Sequence, residues 1–139
     1  MFKRILMAFK FTPNCKAALN KAVQLAKDQN SELYIYHALN YRLATIDRQD
    51  PRIVEMVAEA NKNFEEEVKP QLGESPILKF ECAPADPGLE ICKMAGRIGA
   101  DLILIGSHNE SEKPNLSRVN YVGMTIFEKA PCPVMMVPV

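Results

Sequence analysis

Five short apolar segments alternate with four longer helical stretches along this chain, and that alternation restricts the fold more than any other feature. Lys3 to Phe9 (KRILMAF) reads as a buried strand, and Glu32 to Ala38 (ELYIYHA) as a second, rich in β-branched and aromatic residues. Ile77 to Cys82 alternates enough for a third strand near an edge, Leu102 to Ile105 makes a fourth, and Cys132 to Val137 a fifth. Strands separated by helices imply a mostly parallel sheet with helices on both faces, an open doubly wound α/β architecture. Right-handed crossovers restrict the topology further. At 139 residues the chain suits one domain, covering 1–139, with a single substantial core.

The helices carry their own start and stop signals. Thr12-Pro13 supplies an N-cap and a proline at the first helical position, and Ala18, Leu19, Ala22, Val23 and Ala26 form the packed face. Leu39 to Gln49 reads as a connecting loop. Asp50-Pro51 opens a second helix to roughly Leu72, with Ile53, Val57, Ala60, Phe64 and Val68 as its apolar stripe and a solvated charged face opposite. Asp86-Pro87 opens the third helix, which Gly99 closes. Ser117 is the expected cap of a fourth, running to about Lys129.

Charge and cysteine usage exclude several function classes. The 17 basic and 17 acidic residues cancel, so the basic excess of a nucleic-acid footprint is missing. Cys15, Cys82, Cys92 and Cys132 form no CxxC pair and lie in or beside apolar segments, as expected of small buried side chains in a reducing compartment. The N-terminal MFKRILMAFK has neither a long apolar run nor a small-residue cleavage site, and no stretch reaches the ~20 apolar residues that cross a bilayer. A cytoplasmic location, with no membrane partner, is the expectation.

In an open α/β sheet, ligands sit beyond the carboxyl ends of the strands where the strand order reverses. The first place to look is therefore DLILIGS, Asp101 to Ser107, where a buried strand runs into Gly106. His37 and His108 also stand at carboxyl ends of strands, but a metal site needs more ligands than they supply. A Ser107 nucleophile with His37 or His108 lacks the G-x-S-x-G elbow. No residue is assigned a catalytic or metal-binding role.

The chain resembles the universal stress protein family. The resemblance covers nearly the whole length and rests on KRILMAF, YIYHAL, DPGLEICKMAGRIGADLILIGS and FEKAPCPVMMV, with the separation of GADLILIGSH from APCPVMMV the most specific part. It implies a five-stranded parallel sheet of order 3-2-1-4-5. It also implies a stress-response or regulatory homodimer formed by the last strand pairing antiparallel across a two-fold axis, with Val134, Met135, Met136 and Val137 as interface candidates. Some family members bind ATP and others do not. Binders tend to carry an acidic residue after the first strand, a G-x-P turn before the third helix, and a G-x2-G-x9-G-S/T loop.

This sequence departs from that pattern at each place. The acidic position falls on Lys10, the turn reads Ala85-Asp86-Pro87, and the second loop glycine is Asn109. Gly123 comes about four residues late and is followed by Met124, with Thr125 one position further on. A phosphate cradle needs backbone N–H groups that approach the anion without an intervening side chain. Glu110 and Glu112 place negative charge between the two glycines, offset only in part by Lys113 and Arg118.

The expected ligand pocket is bounded by Phe9, Lys10, Thr12, Ala38, Gly106, Ser107, His108, Asn109, Ser117 and Gly123. A small anionic ligand is favoured over a tightly held triphosphate, and no cofactor is expected. ATP with magnesium, hydrolysed weakly or with a partner's help, is the alternative.

Overall fold

The computed structural model describes residues 1–74, 76–107 and 121–138. Its strands are β1 (Arg4–Ala8), β2 (Glu32–Leu39), β3 (Ile77–Pro84), β4 (Leu102–Gly106) and β5 (Val134–Val137), and its α-helices are α1 (Pro13–Gln29), α2 (Pro51–Asn63), α3 (Pro87–Ile98) and α4 (Tyr121–Lys129). The strands form one sheet in the order β3-β2-β1-β4-β5, and every neighbouring pair is parallel. Arg4 stands opposite Glu32 and Ile5 opposite Leu102, which places the carboxyl ends of β1, β2 and β4 side by side.

Period-two alternation sorts each central strand between two cores. Ile5 and Met7 face α1, and Phe64 and Val68 join them from the far end of the second helical segment. Leu6, Tyr36, Ile103 and Ile105 face the other way, against Ile91, Met94 and Ala95 of α3 and Ile126 of α4. The same alternation divides β5. Val134 and Met136 pack on the α3–α4 side, Val137 on the α1 side, and Met135 stays 43% exposed on the sheet edge.

The cap signals act as the sequence indicated. Thr12 Oγ1 accepts the Cys15 N–H at 3.2 Å and Asp86 Oδ1 accepts the Leu89 N–H at 3.3 Å. Gly99 ends α3 in the left-handed region, with φ of 68°. Asn30 ends α1 in the same conformation, with φ of 55°.

Boundaries differ in a few places, each for a local reason. The second helix is α-helical only to Asn63, then widens to a π turn over Phe64–Val68 and tightens to a 3-10 turn over Lys69–Leu72. Pro70 has no N–H to continue the ladder, so the chain bonds Lys69 N–H to the Phe64 carbonyl instead. The loop after β2 contains a 3-10 turn, Tyr41–Leu43, closed by Asn40 Oδ1 accepting the Arg42 N–H at 3.0 Å. β3 runs on to Pro84, and β5 starts two residues later than expected because Pro133 lacks a donor. The Pro133 carbonyl still accepts the Ile103 N–H at 2.9 Å. All four cysteines are free thiols, with Cys82 buried and the others half-buried.

Candidate functional site

The carboxyl ends of β1, β2 and β4 open into a cleft of about 560 Å³, within the usual range for a small-molecule site. The sheet order makes this opening. α1 leaves β1 toward one face and α3 enters β4 from the other, so the crossovers diverge between β1 and β4. The first turn of α1 (Pro13 to Cys15) and Pro87 at the start of α3 both border it. Helix starts carry positive potential that favours anions, although here Pro13 and Pro87 have no N–H and the Cys15 and Leu89 N–H groups are already taken by the Thr12 and Asp86 caps.

Of the residues singled out in the sequence, Phe9, Lys10, Thr12, Ala38, Gly106, Ser107 and Gly123 border this one cleft. His108, Asn109 and Ser117 lie outside the described residues, as do the glutamates at 110 and 112. Lys10 is exposed and is the one formally charged side chain among the described lining residues. Phe9 contributes differently from what was expected, because its ring is only 2% exposed and packs edge-on against Phe11 and Phe64. Its N–H donates to the Tyr36 carbonyl at 2.8 Å, and its own carbonyl lies 2.9 Å from His37 Nδ1. The Thr12 hydroxyl oxygen is engaged in capping α1.

At Gly106 a Cβ would meet Cys15 Sγ at 3.4 Å and the Ala18 Cβ at 3.5 Å, ordinary van der Waals contact, so α1 packs against the end of β4 with room for a methyl group. Ser107 is buried and its N–H donates to the Val137 carbonyl at 3.0 Å. Thr125 does not replace the hydroxyl missing at Met124. Its Oγ1 donates to the Tyr121 carbonyl of its own helix, and its methyl lies against Gly88.

The floor and far wall were not foreseen. Tyr36 lies beneath the cleft, 3% exposed, with its hydroxyl 3.4 Å from the Ala83 carbonyl. Burial, reinforced by Glu90, pushes its phenol up to about 12, so it keeps its proton at neutral pH. Asn40 and Tyr41 add a polar and an aromatic side chain at the end of β2. Ala85 and Pro87 could have been read from the Asp86-Pro87 cap, because a helix start beyond a strand end belongs to this crevice. Nothing local in the sequence marks Tyr41.

His37 sits among aromatic rings, edge-on to Phe11 at 4.9 Å and stacked with Phe80 at 6.5 Å. His37 Nδ1 is engaged with the Phe9 carbonyl, and no hydrogen bond joins the ring to Ser107 among the described residues. Nor do the described residues hold any group of three or more His, Cys, Asp or Glu side chains positioned for a metal ion. None of the described helices is long and apolar enough to cross a membrane.

The model of the universal stress protein family matches residues 1–138. No curated protein matches the sequence. Among solved structures, the universal stress protein UspA from Lactobacillus plantarum is 21% identical, with a TM-score of 0.76 and 97% of each chain covered. A universal stress protein in complex with cAMP is 19% identical, with a TM-score of 0.64 over 99% of this chain and 97% of the other. The universal stress protein from Archaeoglobus fulgidus in complex with dAMP is 18% identical, with a TM-score of 0.60 over 98% and 97%.

Proposed function

This chain belongs to the universal stress protein family, and from that premise we propose that it is a cytoplasmic homodimer in stress-response regulation that holds a small anionic ligand in the cleft between β1 and β4. The observation that carries the reading is the charge of the cleft. Lys10 is the one formally charged side chain among the described lining residues, and two helices start at the rim. A cation in a largely apolar recess favours a ligand with one anionic group and an apolar or aromatic body.

The same reasoning ranks the nucleotides. The sequence between Gly106 and Gly123 replaces the second glycine with Asn109 and adds Glu110 and Glu112, both unfavourable to a triphosphate. A nucleotide with a single phosphate asks less of that segment. The structurally similar proteins bound to cAMP and to dAMP carry ligands of this kind. Tyr36, Tyr41 and Ala38 supply the apolar wall for the ligand body. The cleft acts by binding, and no resident cofactor belongs to it. ATP with magnesium is the alternative occupant, favoured by Gly106, Ser107 and Gly123 at the rim.

Dimerisation is supported by β5, a four-residue edge strand on which Met135 is exposed. An uncovered edge of this kind invites pairing with a second chain. The ligand reading is tested by following the amide resonances of Ala38, Gly106 and Ser107 during titration with inorganic phosphate and with AMP. Saturable shifts at these residues, weakened about tenfold or more in Lys10→Ala, are expected from the loss of a charge-assisted bond. Equal affinity in the variant, or no shift at these residues, would overturn it.

A further inference from the structure

A second concavity, of about 430 Å³, lies between α2 and the end of β3. Ile53, Val54, Val57 and Ala58 form its helical wall, a spacing that repeats after one turn and so presents one continuous apolar strip. Cys82 stands on the β3 side, buried, with its thiol pushed up to about 11 by that burial, as befits a wall kept from water. Val54 is nevertheless 50% exposed, so the helical wall leaves a large apolar side chain facing solvent.

Arg48 borders the same groove and is its only charged side chain among the described lining residues. The acids near it in sequence and space are engaged elsewhere. Asp50 takes two bonds from the Arg52 guanidinium, at 3.0 and 2.9 Å, and a third from the Arg52 N–H. Asp47 accepts the Gln49 N–H at 2.9 Å, and Glu81 pairs with Lys79 at 3.7 Å. Among the described residues Arg48 itself makes no hydrogen bond or ion pair. A guanidinium is shaped for a carboxylate, which it can grip with two parallel bonds.

We propose that this groove is a second ligand site, for a medium-chain aliphatic carboxylate, with the alkyl chain against Val54, Val57 and Ala58 and the carboxylate on Arg48. Charge complementarity selects the head group, and the helical wall sets the length. From residue 53 to 58 an α-helix rises about 7.5 Å, room for a medium-length alkyl chain rather than a long one. The site is separate from the β1–β4 cleft and does not rest on the function proposed for it.

The test uses the full-length protein with methyl-labelled alanine and valine, titrated with sodium octanoate and, separately, with octan-1-ol. Saturable shifts of the Val54, Val57 and Ala58 methyls by octanoate are expected, while the Ala38 methyl in the other cleft stays in place. Octan-1-ol should bind about tenfold or more weakly, and Arg48→Gln should weaken octanoate by a similar factor. Arg48 is exposed on a loop, so its replacement leaves folding intact, which circular dichroism checks. Octanoate that leaves these methyls unmoved, that shifts Ala38 instead, or that binds Arg48→Gln as tightly as the parent overturns the proposal.

Discussion

Nδ1 of His37 lies 2.9 Å from the carbonyl oxygen of Phe9, tying the end of β2 to the turn that carries Lys10. Burial lowers the His37 pKa from its ordinary value, the bond to Phe9 opposes that shift, and the charge of Lys10 adds to it. The folded protein therefore takes up this proton less readily than the unfolded chain. Its contribution to stability is complete above the ordinary histidine range of about 6.5 and declines as pH falls through it. The urea midpoint is expected to be lower at pH 5.5 than at pH 7.5. That difference should shrink in His37→Gln, which keeps an N–H donor. The same pH dependence in both proteins would refute this role for His37.

Gly88 lets α3 and α4 approach. A Cβ at this position would meet the Cβ and Cγ2 of Thr125 at 2.9 Å, closer than carbon atoms pack. Gly88→Ala is expected to destabilise the protein by about 1–3 kcal/mol through overpacking, despite the better helix propensity of alanine. Denaturant unfolding measures it, and an unchanged or raised midpoint would show that the two helices separate without cost.

At the opposite end of the sheet, the Asp101 carboxylate accepts the Lys3 N–H at 2.8 Å and the Arg4 N–H at 3.1 Å. The Arg4 guanidinium reaches the Ile98 carbonyl at 2.8 Å and Glu32 at 3.1 Å, so β1, β2 and the end of α3 meet there. Asp101→Ala leaves both N–H groups without this acceptor and is expected to cost about 1–3 kcal/mol. A loss within experimental error would mean that water replaces the carboxylate.

Much of this was legible because the signals are local. Thr12-Pro13, Asp50-Pro51 and Asp86-Pro87 mark helix starts through bonds made within three residues, and the apolar runs mark strands. The expected position of the cleft followed from the strand order that the family resemblance implied, since that order determines where the crossovers diverge. What escaped depends on distant partners. Phe64 stacks on Phe80 at 4.2 Å, and that contact holds the π turn ahead of Pro70 against the sheet, although neither residue announces the other. Tyr41 borders the cleft because a short 3-10 turn carries it there, and the polar residues that build that turn resemble any loop.

Met135 offers a direct test of the proposed dimer. It is 43% exposed on the edge strand, and its neighbours Val134 and Met136 are half-buried against the α3–α4 core. Sedimentation at micromolar concentration is expected to show a dimer for the parent protein and a monomer for Met135→Lys, since a charge on the edge opposes strand pairing. A parent protein that sediments as a monomer, or a variant that stays dimeric, would place the contact elsewhere or remove it.

The cleft at Lys10 is expected to take a small anion in preference to a triphosphate. Calorimetric titration of the purified protein with AMP and with ATP, each with and without magnesium, measures that preference. The expected result is tighter binding of AMP than of ATP, with ATP at a Kd of ~100 μM or weaker. Binding of magnesium-ATP at low micromolar Kd, tighter than AMP, would show that the cleft is a triphosphate site.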